Sequence, residues 1–199
     1  MKKTMVSRIV VLVLFSILFT PRIFAQLGFY DGYIVTNQND SICGKISAYQ
    51  KGQIIEYCIL KKDDDNIKYY PNMIQRFGFT DGSYYVTDVF KDTIIQVLVQ
   101  GKLSLYKLQS SLYIQKEGDE IYKLETHTDK VIRNGEMYYV ENVKWKGLIT
   151  YLTSDCDINK NELKKLQLLE VDITDFVVNY NKCTQSEYID YTSKKKSKK

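Results

Sequence analysis

Four cysteines, one histidine and two acidic clusters are the side chains of this chain whose types could do chemistry. Cys43, Cys58, Cys156 and Cys183 form no C-x-x-C pair, and no second histidine accompanies His127. That spacing argues against a redox dithiol or a zinc site and leaves disulfide formation as the cysteine chemistry to consider. His127 could be a general base or a metal ligand. It lies in a polar stretch, 126–130, with no nearby cysteine, and reads as a surface residue. The run Asp63-Asp64-Asp65-Asn66 is oxygen-rich. It lacks the alternating ligands, glycine and distal glutamate of a calcium loop, and reads as a solvated turn. Glu117, Asp119 and Glu120 crowd one turn. Acid–base work by paired carboxylates needs one of them desolvated, and an exposed turn desolvates neither. They read as solubilising charge. No G-x-S-x-G, phosphate-cradling glycine loop or H-E-x-x-H is present. The reading therefore assigns no catalytic, cofactor-binding or metal-binding residue, and expects no cofactor.

The N-terminus speaks to address. Lys2, Lys3 and Arg8 precede an apolar run over 9–19, Pro21 breaks it, and Ala25 stands before Gln26. This is the layout of a secretory signal peptide, 1–25, cut after Ala25. An uncleaved anchor is the alternative, but the run falls short of the roughly 20 residues a spanning helix needs. No cysteine follows the cut to carry a lipid. The leader holds four basic residues and no acid, so the 28 basic and 24 acidic residues of the whole chain become 24 of each after cleavage. Five lysines between Lys194 and Lys199 close the chain, leaving 19 basic against 24 acidic residues over 26–193. The basic isoelectric point is thus a property of the two ends. A nucleic-acid partner, which would require a basic face on the folded body, is not expected.

Seventeen tyrosines and only two prolines favour strands. Segments 32–36, 41–48, 53–61, 84–90, 93–100, 103–109, 112–116 and 120–125 read as strands, and 137–143 as one more. Connections of two to four residues suggest an antiparallel meander. The residues 49–52 form a turn in this reading, and 63–66 a polar loop. At Trp145 the apolar period changes to 3.6, with Trp145, Leu148, Ile149 and Leu152 on one helix face. Asn159 and Glu162 resemble a capping box for a short helix through Leu163 and Leu166. Asp172 can cap a third, with Ile173, Phe176, Val177 and Tyr180 on its face and Val171 and Phe176 at the staple positions. The expectation is an α+β domain: an antiparallel β-rich region, 26–143, as a sheet or partly closed barrel, with a helical region, 144–184, packed on it. Residues 185–199 read as a polar, lysine-rich, disordered tail.

Export makes the cysteines readable as pairs. Helices docked side by side on one sheet can bring Cys156 and Cys183 within bridging distance. Such a bridge closes a loop of about 28 residues, worth roughly 3.5 kcal/mol in chain entropy. A turn closing Ala48 against Gln53 would set Cys43 opposite Cys58 and allow a cross-strand bridge. Unpaired thiols are the alternative in both cases.

Gly32-Tyr33-Ile34-Val35-Thr36 and Asn39-Asp40-Ser41-Ile42-Cys43-Gly44-Lys45-Ile46 resemble the G-Y-I-x-T and G-D-T-I-x-G-x-I segments of a family of secreted Bacteroidetes proteins. Tyr70-Pro71, Ile74 and Phe77-Gly78-Phe79 follow a Y-x-P-x-x-I-x-x-F-G-F-like pattern. Leu98-Val99-Gln100-Gly101-Lys102-Leu103-Ser104-Leu105-Tyr106 resembles L-V-x-G-K-x-x-L-Y. Thr153-Ser154-Asp155-Cys156 and Tyr180-Asn181-Lys182-Cys183 match its L-S-D-C and Y-N-x-C. Asn39 replaces glycine, Ser41 replaces threonine, and Cys43 is outside the pattern. The resemblance implies a stand-alone module without the outer-membrane barrel that follows in some relatives, and it brings no catalytic residues.

Together these readings point to a periplasmic or surface-exposed, non-catalytic module of the bacterial envelope that binds a protein or glycan. A structural or accessory subunit of an envelope complex is the alternative, for which a large exposed apolar patch would be the sign. A carboxylate-dependent hydrolase is a further one, for which the sign would be a buried carboxylate pair in a cleft. The tail from Lys194 to Lys199 could touch an anionic envelope surface. Intact-mass and N-terminal analysis of the protein recovered from its own cells tests the leader: the expected N-terminus is Gln26, and a chain retaining residues 1–25 removes the case for export.

Overall fold

Side-chain alternation with a period of two puts most of the chain into strands, and the computed structural model describes them over residues 28–62, 65–157 and 160–193. The strands are β1 (Tyr30–Thr36), β2 (Ser41–Lys51), β3 (Ile54–Lys62), β4 (Asp65–Tyr69), β5 (Ile74–Phe79), β6 (Tyr84–Phe90), β7 (Thr93–Gln100), β8 (Leu103–Leu108), β9 (Ser111–Lys116) and β10 (Ile121–Leu124). A separate hairpin follows, β11 (His127–Arg133) and β12 (Glu136–Asn142). The helices are α1 (Lys144–Leu152), α2 (Lys160–Lys165) and α3 (Glu170–Cys183), and β13 (Ile189–Asp190) comes last. Residues 1–27, with the expected leader, and Asp63, Asp64, Asn159 and the lysines from 194 onward lie outside the described residues.

The fold is α+β, and the sheet is open rather than a barrel. Its order is β10-β9-β8-β7-β6-β5-β1-β2-β3-β4, antiparallel throughout. The meander is interrupted once. After β4 the chain returns through a single 3-10 turn at Pro71–Met73 and lays β5 on the free side of β1. Gly32 makes this pairing close: a Cβ there would stand 2.4 Å from the Gly78 carbonyl oxygen. The turn between β1 and β2 places Asn39 at φ 67°, a left-handed conformation that glycine and asparagine both tolerate. This is the position where asparagine replaces the glycine of the resembled segment.

The sheet curls. Ile46, Cys58 and Leu60 of β2 and β3 share a core with Phe77 of β5 and Ile94 of β7. In a flat sheet β3 and β7 would lie about 24 Å apart, five spacings of ~4.8 Å. The strands β2 and β3 therefore fold over the face on which the helices sit further along. There Leu103, Leu105, Leu112 and Ile114 pack against Trp145, Ile149, Ile173, Val177 and Tyr180. The opposite face of β6 to β9 carries Tyr84, Ile95, Val97 and Tyr106 and, among the described residues, has no helix over it.

Several elements depart from the sequence reading. β4 begins at Asp65, inside the expected polar loop; as the charged outer edge of the sheet it is exposed, so its side chains do not alternate visibly. β5 is absent from the sequence reading because Gln75, unpaired opposite Val35/Thr36, breaks its alternation. The β2–β3 turn closes Lys51 against Ile54, with another shift at Tyr49/Gln50, so β2 runs three residues further than expected and β3 begins and ends one residue later. α3 starts at Glu170 with Leu169 before it and no side-chain cap; Asp172 sits in the first turn, and Val171 is exposed rather than stapled. Residues 185–193 are ordered. Ile189 and Asp190 pair with Gln100 and Val99 where β7 outruns β6, and Tyr191 stacks on Tyr84 at 4.5 Å.

One side chain ties α3 to the sheet. Asn181 is fully buried; its Nδ2 donates to Leu103 O at 2.8 Å, and Leu103 N donates to its Oδ1 at 3.0 Å. The amide thus pairs with the backbone of β8 as another strand would. Removing it strands both backbone groups, so Asn181→Ala should cost roughly 2–4 kcal/mol in chemical denaturation. The exposed Asn37→Ala, which loses a bond to Asn72 O, should cost within about 0.5 kcal/mol.

Candidate functional site

The three sequence fragments nearest the C-terminal helices converge on one corner. Cys156, in the turn after α1, and Cys183, at the end of α3, form a disulfide with Cα atoms 6.2 Å apart. Beside it, Asp155 accepts hydrogen bonds from the Tyr180 hydroxyl at 2.9 Å and pairs with Lys102 Nζ at 2.9 Å and Lys116 Nζ at 3.1 Å. Gly101 lies against Asn181, whose Oδ1 would be 2.9 Å from a Cβ at that position. Lys102, with its partners Lys116 and Tyr180, holds the Asp155 carboxyl well below the usual carboxylate range. Burial and the neighbouring carboxylate push the Tyr180 phenol up. An anion locked between two ammonium groups is a poor proton donor, so this corner is a clasp.

Cys43 and Cys58 do not bridge. Cys43 lies opposite Tyr33 on β1, and Cys58 lies opposite Ala48. Cys43 and Ala48 are an odd number of residues apart on β2 and so, bulges aside, point to opposite faces. Both thiols are free, Cys43 exposed and Cys58 buried, and burial pushes the Cys58 thiol up to about 12. The expected register failed because the turn lies nearer the end of β2 than the residues 49–52 suggested.

Two further surfaces bear on function. The first is a trough on the helix-free face. The bulged end of β6 bends across this face until Phe90 meets Tyr113 of β9 edge-on at 5.1 Å. Between that end and β9–β10 lies a cavity of about 250 Å³ with Val97 and Tyr106 among its lining residues. A second, of about 490 Å³, adjoins it and shares Gln100, Tyr106 and Gln115. The Tyr106 hydroxyl donates to Gln115 Oε1, and the Tyr191 hydroxyl to Gln100 Oε1, each at 3.1 Å. Burial raises the Tyr84 and Tyr106 phenols and takes Tyr191 up to about 12, so all three stay neutral hydroxyls at physiological pH. Glu117, read from sequence as solubilising charge, stands on the rim.

The second surface is the β11–β12 hairpin. One of its faces carries Ile132 opposite Met137 and Lys130 opposite Tyr139. Ile132 is 72% exposed, Tyr139 66% and Met137 59%. The other face carries Tyr138 and Val140, also exposed. The sequence reading placed His127 in a loop; it opens β11 on the surface, its Nε2 3.0 Å from Glu125 Oε1. The missed signal was Asn134-Gly135, the dipeptide of a tight hairpin turn, found here at φ 53° and 82°.

Among the described residues no group of histidine, cysteine and acidic side chains could hold a metal ion, and no helix is long and apolar enough to cross a membrane. The buried polar side chains among them include no aspartate or glutamate. No protein family, curated protein or solved structure matches the chain.

The clasp makes stability depend on acid. Folding lowers the Asp155 pKa below its unfolded value near 3.9. Its contribution is therefore complete above about pH 4 and disappears as pH falls further. Thermal melts should show that Asp155→Asn costs about 1 kcal/mol at pH 7, solvent screening keeping it small. The difference between wild type and Asp155→Asn should narrow by pH 3; an unchanged difference there would falsify the assignment.

Proposed function

We propose that the protein is a non-catalytic interaction module of the bacterial envelope, exported by its N-terminal leader and docking a protein partner through the β11–β12 hairpin. The observation that carries the reading is the outward presentation of Ile132, Met137 and Tyr139 on a two-stranded sheet. Two strands alone are marginally stable in water, and a third strand or a packed surface is what such a pair needs. Both outer edges of the hairpin also offer backbone groups to a strand added from outside. Asp129, Glu136 and Glu141 outnumber Lys130 and Arg133 on the hairpin, which disfavours an anionic bilayer as the covering surface. The disulfide supports an oxidising compartment. Membership of the secreted Bacteroidetes family belongs to the same proposal. Its support is that the resembling segments, far apart in sequence, meet at two places: the Gly32–Gly78 contact and the Asp155 clasp.

Affinity capture from the native envelope tests the reading with two baits, the wild-type protein and a variant carrying Ile132→Asp and Tyr139→Asp. A partner retained by the first and lost by the second, with unchanged melting, is the expected result. Identical captured sets, or equal binding of both baits to vesicles of envelope lipid in place of a protein, would remove the hairpin from the function.

A further inference from the structure

We propose that the trough on the helix-free face is a binding site for a neutral saccharide. The site is distinct from the hairpin, and the proposal stands whether or not a protein docks there. A sugar ring offers an apolar C–H face and a belt of hydroxyls, and the trough presents the complement of both. Val86, Ile121 and the exposed edge of the Tyr106 ring supply a small apolar floor, with Val97 buried beneath it. Gln100, Gln115 and Ser104 supply amide and hydroxyl groups around it. Two polar groups of the trough are unspent: Gln100 Nε2 and the carboxylate of Asp88, which lines the smaller cavity, have no hydrogen-bond or ion-pair partner among the described residues, whereas Gln100 Oε1 is held by Tyr191. A donor and an acceptor thus stand over the shared apolar surface, each able to take a hydroxyl.

Charge narrows the class. Asp88, Glu117 and Glu187 line the two cavities, and the cation among the described lining residues, Lys102, is paired with Asp155; Arg76 acts on Tyr84 and Tyr191 from outside the lining. An anionic ligand would meet carboxylates with no ammonium to balance them. A wholly apolar ligand would desolvate Gln100 and Asp88 without replacing their water, at roughly 1–3 kcal/mol for each group. The neutral phenols of Tyr84, Tyr106 and Tyr191 add no charge. The larger cavity falls within the ~300–1,000 Å³ range of small-molecule sites. With the smaller one continuing from it at Gln100, Tyr106 and Gln115, the shape suits a short chain of sugars rather than a single ring.

The test uses the full mature protein and titration calorimetry against neutral glucan, mannan and N-acetylglucosamine tetrasaccharides, with a tetragalacturonate as the anionic comparison and a basic tetrapeptide as the non-sugar one. The expected result is binding of at least one neutral tetrasaccharide with a millimolar or tighter Kd, weakened ten-fold or more by Gln100→Ala and by Asp88→Ala. Both substitutions lie at exposed positions, and unchanged melting shows that the variants remain folded. The hairpin variant should bind the sugar as the wild type does. Absence of binding to every neutral tetrasaccharide, equal or tighter binding of the tetragalacturonate or the peptide, or indifference of sugar binding to both trough variants overturns the proposal. None of these outcomes touches the hairpin, whose partner is read in the capture experiment.

Discussion

The attachment of the helices to the β7–β8 corner is the constraint on which the rest of the molecule depends. Three chemically different links act within a few residues. The Asn181 amide pairs with the Leu103 backbone, Asp155 gathers Lys102, Lys116 and Tyr180, and Cys156 is covalently joined to Cys183. Each covers a weakness of the others. The buried amide is strong because water is excluded, but it needs α3 at the correct height over β8. The ion pairs tolerate small displacements, yet about a third of the Asp155 side chain faces solvent, which limits their strength. The disulfide restricts the unfolded chain as well as the folded one. Only with α1 and α3 held there is the apolar face of β7 to β10 removed from water.

Covering one face with helices decides what the other can become. Because Leu103, Leu105 and Ile114 point to the helices, Ser104, Tyr106 and Gln115 must point away from them. The bulge in β6 brings its end over that second face, and the return of the chain after α3 lays Tyr191 beside Tyr84 and Gln100. The trough is therefore a consequence of helix docking, with its polar groups drawn from β6, β7, β8, β9 and the segment after α3. The hairpin has the opposite character. It leaves the sheet after β10 and offers apolar side chains that nothing in the described chain covers to the same degree.

These two surfaces suit different partners. A trough with amides and carboxylates around an apolar floor selects by hydrogen-bond geometry. A two-stranded arm with Ile132, Met137 and Tyr139 outermost selects by shape and by the backbone groups along its edges. Asp155, whose pKa is the most strongly lowered among the described carboxylates, serves the clasp between them and the helices.

Local rules carried much of this architecture. Alternation placed β6 to β9, the 3.6-residue period at Trp145 and Phe176 placed α1 and α3, and the need to bury those helical faces dictated an α+β domain with helices on a sheet. The Cys156–Cys183 bridge followed from that layout. What period alone could not reach depends on contacts distant in sequence. The free Cys43 and Cys58 hinge on where the β2–β3 turn closes, Lys51 against Ile54 rather than Ala48 against Gln53, with a one-residue shift at Tyr49/Gln50 added to it. β4 is an exposed edge whose side chains have no apolar partner to make them alternate. The order of residues 185–193 depends on the length by which β7 exceeds β6. The trough is the clearest case: Gln100, Asp88 and Tyr106 are ordinary strand residues until sheet curvature sets them around one space. The sequence by itself determined which residues would be apolar together and where the chain would turn; only the tertiary structure decided which polar groups would face one another, because curvature and register are set by the packing of the whole sheet.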